Sequence, residues 1–164
     1  MDAAGAPALL HALEHSAFGL AIRQSAWAYP LANVGHVLAV VIFAAGVAIM
    51  DVRLLGAFRG SRLSSVLRDA RRVTVLAFAG VALTGFVLFT AEASHLAANR
   101  VFQIKLGVIA LGLANVLVLD RVFGARVAGL APDAAPPRAI RAIAMASLGL
   151  WLAAVVLGRS IAYF

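Results

Sequence analysis

Four stretches of this sequence are apolar for about 20 residues each, the length that a helix needs to cross the hydrocarbon core of a bilayer. They cover residues 30 to 50, 73 to 95, 102 to 122 and 140 to 162. Hydrophobic residues make up 63% of the chain and charged residues only 13%, a balance unlike that of a soluble domain. Because short connections join the stretches, the sequence predicts an all-α integral membrane protein with a four-helix up-down-up-down bundle.

The N-terminal region has a different pattern. Residues 7 to 23 alternate apolar and polar positions at helical spacing, with His11 and His15 on the polar face. This predicts an amphipathic surface helix within an interfacial segment, residues 1 to 26, ahead of a transmembrane domain, residues 27 to 164. The first 22 residues contain no Lys or Arg. A signal peptide would need a basic region there, so we expect the N-terminus to be retained.

The positive charges are distributed unevenly between the two sides of the predicted bundle. Ten arginines lie in or beside the two loops of one side: Arg53, Arg59, Arg62, Arg68, Arg71, Arg72, Arg121, Arg126, Arg138 and Arg141. The opposite side has only Arg23, Arg100, Lys105 and Arg159. The positive-inside rule then predicts that both arginine-rich loops lie in the cytoplasm and both termini on the outer side of the membrane, which is the periplasmic side for a bacterial inner membrane. The net charge of +7 reflects this topology, so we expect no nucleic-acid partner.

Several classes of chemistry are missing from the sequence. The chain has no cysteine, which excludes disulfides, thiolate catalysis and cysteine-ligated metals. It also lacks the GxSxG, P-loop and HExxH motifs of common hydrolases and nucleotide-binding proteins. We therefore expect an electron-transfer subunit more than a stand-alone enzyme, and no catalytic residue is predicted.

The polar residues of the outer half suggest a haem site. His36 lies about two turns into the first span, roughly 9 Å from its outer end, and His95 lies at the outer end of the second. A bis-histidine haem needs two neutral imidazoles and cations near its propionates. His36 and His95 as axial ligands, with Lys105, Arg159 and Asn33 nearby, fit that description. The leading hypothesis is a haem b protein that passes electrons between a periplasmic redox partner and the quinone pool.

Metal handling is the second hypothesis. His11 and His15 are four residues apart, so both imidazoles share one helical face, with Glu14 nearby. Together with His36 and His95 they predict a periplasm-facing site for copper or another metal, without porphyrin.

A third hypothesis involves no cofactor. A single intramembrane histidine often holds helices together, and His36 would then hydrogen-bond to Thr84, Asn115 or Ser147 of a neighbouring helix. The protein would serve as a membrane scaffold, docking a partner or forming a homo-oligomer or a larger membrane complex.

Motifs spread over residues 25 to 164 are similar to those of a known family. They include Trp-x-Tyr-Pro, a histidine six positions after that proline, Asp-x-Arg-Leu-Leu-Gly, Phe-x-x-Lys and Gly-Arg-x-x-Ala-Tyr. Here they fall at Trp27, Tyr29, Pro30, His36, Asp51, Arg53, Phe102, Lys105, Asn115, Gly158, Arg159, Ala162 and Tyr163. The chain resembles the small four-span bacterial inner-membrane proteins grouped as a domain of unknown function. Its layout is also similar to small b-type cytochromes and the membrane domains of copper-resistance proteins, a likeness of architecture alone.

Overall fold

The computed structural model describes residues 8–58, 60, 62–131 and 134–163, and these form helices and connections with no strand. Its helices are α1 (Ala8–Glu14), α2 (Ala17–Gln24), α3 (Ala28–Leu54), α4 (Leu63–Ala91), α5 (Ala93–Ala98), α6 (Arg100–Val118), α7 (Gly124–Ala128) and α8 (Arg138–Ser160). A π-helical turn, Leu119–Phe123, joins α6 to α7, and a 3-10 turn, Ile161–Tyr163, follows α8. The predicted all-α class is confirmed.

Four helical segments are long and apolar enough to cross a membrane: Ala28–Leu54, Leu63–Ala91, Arg100–Ala128 and Arg138–Tyr163. The protein is therefore a multi-pass membrane protein with the predicted number of spans in its described part. Helix α3 packs along α4 and also contacts α8, which packs along α6. Helices α4 and α6 have few residues close to each other in the described chain, although Phe89 of α4 stacks on Phe102 of α6 with ring centroids 5.7 Å apart.

We name the two ends of the bundle by their residues. The histidine end is where α3 begins and contains His36, His95 and the α1–α2 segment. The arginine end is where α3 ends and α4 and α8 begin. At the arginine end a core of Leu54, Leu63, Ile140 and other apolar side chains joins the helix termini.

The amphipathic segment forms two helices instead of the single one predicted for residues 7 to 23. The break lies at His15 and Ser16, where the Ser16 backbone is extended. Its Oγ accepts a hydrogen bond from the Gly19 N–H at 3.1 Å and thereby caps α2. Serine favours this capping geometry over a helix interior, which explains the break. The predicted helix start at Pro7 lies outside the described residues.

The second span also differs from its predicted limits of 73 to 95. It begins earlier, at Leu63, so the helix also includes the residues between Leu63 and Val73. Leu63 is buried in the arginine-end core, which holds this early start in place. It ends at Ala91, since Glu92 leaves the helical conformation and a separate short helix, α5, begins at Ala93. His95 therefore lies on α5 and not on the second span.

Candidate functional site

His36 is held by a hydrogen bond between α3 and α4. Its Nδ1 lies 2.9 Å from Thr84 Oγ1, whose own hydroxyl donates to the Gly80 carbonyl oxygen at 2.6 Å. Because the threonine hydrogen is directed to Gly80, the His36 ring donates through Nδ1–H, which leaves Nε2 as the acceptor nitrogen. The interhelical contact with Thr84 that the scaffold hypothesis predicts is therefore present.

Lys105 extends this polar group to the other helix pair. Its Nζ on α6 lies against Gly158 of α8, where an added Cβ would come within 3.3 Å of the ammonium nitrogen. The positive charge of Lys105 also acts on the half-buried His36 ring. The histidine-end half thus contains polar side chains from three of the long helices, His36, Thr84 and Lys105, with Lys105 packed against Gly158 of the fourth.

The other predicted haem residues lie elsewhere. His95 is exposed on α5, and no contact among the described residues joins it to His36. Arg159 is also exposed, and its guanidinium donates to the Tyr163 hydroxyl at 2.7 Å while lying 4.9 Å from the centre of that ring. Asn33 is exposed on α3. The charge of Lys105 acts on the His36 ring, and Asn33 lies one turn before His36 on α3. His95 and Arg159 make no described contact with His36.

The predicted metal ligands of the surface segment are His11 and His15. Their rings stack with centroids 4.0 Å apart, and both residues are exposed. His15 Nδ1 lies 2.9 Å from the His11 carbonyl oxygen, which occupies one of its two ring nitrogens. Across the described ranges there is no group of three or more His, Asp or Glu side chains that could hold a metal ion. The two histidines thus remain a pair without a third ligand in that part of the chain.

Glu14 docks the surface helices onto the bundle instead of facing the two histidines. Its Oε2 accepts a hydrogen bond from the Ser94 backbone N–H at 3.0 Å, and its Oε1 forms an ion pair with Arg23 at 3.0 Å. Arg23 also donates to the Ala91 carbonyl oxygen at 3.3 Å. Hydrogen bonding from Ser94, together with the Arg23 charge, lowers the pKa of the Glu14 carboxyl.

A cavity of about 450 Å³, unpredicted from the sequence, lies toward the arginine end. This volume falls in the range of small-molecule sites. Because the cavity fills the space between the poorly packed α4 and α6, we call it the α4/α6 cavity. Its walls are mostly apolar and come from α3, α4, α6, α7, α8 and the π-helical turn. Its lining includes Phe43, Asp51, Arg71, Phe78, Ser147 and Trp151.

Two polar atoms on the cavity walls lack partners. Asp51 is 5% exposed and Trp151 7% exposed, yet Asp51 Oδ2 and Trp151 Nε1 have no hydrogen-bond partner among the described residues. Ser147 lies beside the Asp51 carboxyl. Asn115, in contrast, uses its side-chain N–H to bond the Ile143 carbonyl oxygen at 3.1 Å and so joins α6 to α8. Both atoms are thus buried polar groups without a partner in the walls of the cavity.

An aromatic group forms the deeper wall of this cavity. Trp151 meets Phe43 edge to face, with ring centroids 4.6 Å apart, and Phe78 lies 5.4 Å from Phe43. The indole fits because position 112 of α6 is glycine, where a Cβ would come within 2.9 Å of Trp151 Cζ2. A flat, apolar surface therefore lies next to the indole N–H.

At the arginine end the cavity is bordered by an ion pair. Arg71 of α4 and Asp120 of the π-helical turn form two hydrogen bonds, of 2.6 and 3.0 Å. The π-helical turn inserts an extra residue into the third span, a feature that often occurs at functional sites.

No protein-family model, curated protein or solved structure matches this chain. The family resemblance of the sequence motifs therefore stays a prediction.

Sequence reasoning concentrated on the four histidines and missed the α4/α6 cavity. One signal was present in the sequence, since Asp51 is the single carboxylate of α3 and carries a charge that must be accommodated. Trp151 belongs to the core. That its side chain lines a cavity with Asp51 depends on how α3 and α8 pack, which no local pattern reveals.

Proposed function

We propose that this protein takes up a small amphipathic molecule from the bilayer and holds it in the α4/α6 cavity. The observation that carries the proposal is a mostly apolar cavity of about 450 Å³ whose lining includes Asp51 and Trp151. A buried polar group without a partner costs about 1–3 kcal/mol, so a ligand that gave Asp51 Oδ2 or Trp151 Nε1 a partner would be stabilised by that contact.

The route into the cavity also favours a ligand from the lipid phase. Among the described residues, helices α4 and α6 are joined at the histidine end by the stacked rings of Phe89 and Phe102, whereas toward the arginine end few of their residues come close. Apolar residues face outward along both helices, including Leu76 and Leu83 of α4 and Ile104 and Leu111 of α6. A hydrophobic molecule dissolved in the bilayer can therefore reach the cavity laterally without crossing a charged surface.

Co-purification tests this proposal. The protein is purified in mild detergent, its bound small molecules are extracted with solvent, and the extract is quantified per mole of protein by mass spectrometry. We expect a defined amphipathic component whose amount falls about fivefold or more in Trp151→Phe and Asp51→Asn, since each loses a hydrogen bond to the ligand.

Two matched variants control for general damage. Trp27→Phe and Asp69→Asn make the same chemical changes at exposed positions away from the cavity lining. They should retain the extracted component at the level of the unmodified protein. Equal extraction from all four variants, with bound material identical to bulk membrane lipid, would contradict a specific site.

A second candidate function, haem-based electron transfer, is favoured by one observation at His36. Its Nδ1–H is held by Thr84 while Nε2 has no described partner, which is the tautomer and orientation that a metal-ligating histidine adopts. Haem, when bound, would supply the one-electron chemistry of a b-type cytochrome. His36 would hold the iron and Lys105 would offer a cation to a propionate, whereas His95 has no described contact with His36.

A reduced-minus-oxidised visible spectrum of protein expressed with ample haem tests the second candidate. Sharp α and β bands that vanish in His36→Ala and persist in His95→Ala would support His36 as a ligand with a partner other than His95. Absence of these bands in the unmodified protein would remove the haem proposal and leave the cavity proposal intact.

A further inference from the structure

We infer that the ligand of the α4/α6 cavity is an anionic lipid with a single hydrocarbon chain, whose carboxylate or phosphate head binds at the arginine end. This inference rests on the proposed function and names the ligand class of the same site. It follows from three features of the cavity: its length along α4, the position of its charged residues at one end, and the exposed cation Arg68 in its lining.

The cavity is long and follows the direction of a membrane span. Seven residues of α4 line it and recur at helical spacing along one face: Ser64, Leu67, Arg68, Arg71, Thr74, Val75 and Phe78. From Ser64 to Phe78 the helix rises by about 21 Å at 1.5 Å per residue. A volume of about 450 Å³ along that length is narrow, so the cavity fits one extended hydrocarbon chain better than a bulky ring system.

The charged residues of the lining all lie toward the arginine end. They are Asp51 in the last turn of α3, Arg68 and Arg71 in the first turns of α4, and Asp120 in the π-helical turn. The rest of the lining is mostly apolar and includes the aromatic wall already described. A ligand that matches this division has a charged head at one end and an apolar chain beyond it.

The first turns of α4 are placed to meet a lipid head. A helix of 29 residues is about 44 Å long, whereas the hydrocarbon core of a bilayer is about 30 Å thick. The apolar stretch of this span begins only at Val73, so the excess length lies at the arginine end, where Arg68 is. An anionic head bound there would lie at headgroup level, with its chain parallel to the lipid chains.

The sign of the head follows from which charge a ligand can reach. Arg71 is held by Asp120 in the bidentate ion pair, and Asp51 is only 5% exposed. Arg68 is exposed and has no ion pair within the described ranges. A guanidinium binds the paired oxygens of a carboxylate or phosphate in a bidentate manner. The accessible charge of the lining therefore favours an anionic head.

The experiment measures binding in nanodiscs of phosphatidylcholine, a lipid without net charge. The chain has two tryptophans, so Trp27→Phe leaves only Trp151, which lines the cavity. Four probes share one brominated saturated chain and differ in the head: a carboxylate, a phosphate, an alcohol and a trimethylammonium group. Bromine quenches tryptophan on contact, so saturable quenching in mildly alkaline buffer gives a Kd for each probe. Empty nanodiscs give the partitioning of each probe into lipid alone.

We expect at least one of the two anionic probes to bind about fivefold or more tightly than the alcohol and the ammonium probe, the factor that one accessible ion pair supplies. Tighter binding of the carboxylate would assign a fatty-acid ligand. Tighter binding of the phosphate would assign a phosphate-bearing lipid. Either result supports the anionic class.

Reversing the charge at position 68 tests the assignment independently of protein stability. Arg68→Glu should reverse the preference, so that the ammonium probe binds more tightly than the anions. A misfolded variant would instead lose all four probes alike. Arg141→Glu makes the same charge change at an exposed position of α8, at the same end of the bundle but outside the cavity lining. It should keep the preference for anions.

The outcomes separate this inference from the proposed function. If the alcohol binds as tightly as both anions, or Arg68→Glu and Arg141→Glu change the preference equally, the anionic assignment is overturned while a ligand-binding cavity remains. Saturable binding of none of the probes also overturns the assignment. If, in addition, no component co-purifies with the unmodified protein, the proposed function is overturned with it.

Discussion

Arg71 and Asp120 form a bidentate ion pair that links α4 to the π-helical turn, with N–O distances of 2.6 and 3.0 Å. It spans the side of the bundle where α4 and α6 make little other contact in the described chain. Both side chains are partly exposed, at 45% and 35%, so the pair is worth no more than about 1 kcal/mol. Because the ion pair contributes so little free energy, it can break readily at the edge of the α4/α6 cavity.

Removing the Arg71–Asp120 ion pair should expose the cavity to solvent. The natural chain has no cysteine, so Thr74→Cys places a single thiol on the cavity wall. We expect Arg71→Ala to raise the rate of maleimide labelling at this thiol up to about fivefold, the factor that 1 kcal/mol represents. The exchanged pair Arg71→Asp with Asp120→Arg should restore slow labelling. Equal rates in all three backgrounds would show that the ion pair does not restrict access.

Neutralising Glu14 should release the surface helices from the bundle. Glu14→Gln weakens the charge-assisted bonds to Ser94 and Arg23, of which the partly exposed Arg23 pair is worth no more than about 1 kcal/mol. Hydrogen exchange of the α2 amides should then accelerate while that of α3 stays unchanged. Glu92→Gln, an exposed carboxylate nearby, provides the control. If α2 exchange is the same in both variants, Glu14 does not hold the segment.

The same contact should make docking depend on pH. The folded pKa of Glu14 is below its ordinary value, so its stabilising contribution is full above the ordinary glutamate range and is lost as the pH falls through the folded pKa. Acidification should therefore accelerate α2 exchange, after correction for intrinsic rates, in the unmodified protein. In Glu14→Gln this pH response should disappear, and its persistence would assign the response to another group.

Gly112 is predicted to be intolerant of a side chain. An added Cβ would come within 2.9 Å of Trp151 Cζ2, so Gly112→Ala must displace the indole or separate α6 from α8, at a cost of about 1–3 kcal/mol. Gly107 on the same helix has open space at its Cβ position. Gly107→Ala should leave stability in an SDS unfolding titration unchanged or slightly higher. Similar midpoints for the two variants would contradict the close packing of Trp151 on α6.

The hydrogen bond between His36 and Thr84 should contribute modestly to stability. Interhelical hydrogen bonds in membranes contribute about 0.6 kcal/mol on average, so Thr84→Val should lower the SDS unfolding free energy by roughly that amount. Thr90→Val is a suitable comparison, because the described bond of Thr90 Oγ1 stays within α4. A double-mutant cycle with His36→Ala isolates the coupling free energy between the two side chains. A coupling free energy near zero would show that the contact makes no net contribution to stability.

Much of the fold could be predicted because its determinants are local. Each apolar stretch is long enough to cross a bilayer by itself, and a helix is the only single segment that satisfies its own backbone there. The boundaries were less predictable. Ser16 ends one helix by capping the next, and Glu92 interrupts the second span, so both breaks depend on the conformations of single residues.

The candidate sites were predicted unevenly. His36 stands out as an ionisable ring in an apolar span, and Thr84 was among its expected partners. Its expected pairing with His95 depended on the second span continuing to residue 95, whereas α4 ends at Ala91. A few residues of error at a helix end move a side chain by a full turn, which is enough to separate two ligands.

The sequence by itself determined the helical class, the number of spans and the uneven distribution of charge, because hydropathy and charge act residue by residue. Only the tertiary structure decided that α4 and α6 stand apart and that Asp51 of α3 and Trp151 of α8 line one cavity. Those relationships depend on how helices pack, and between apolar surfaces packing is decided by shape. For example, Gly112 of α6 is small enough for the Trp151 indole of α8 to pack against it.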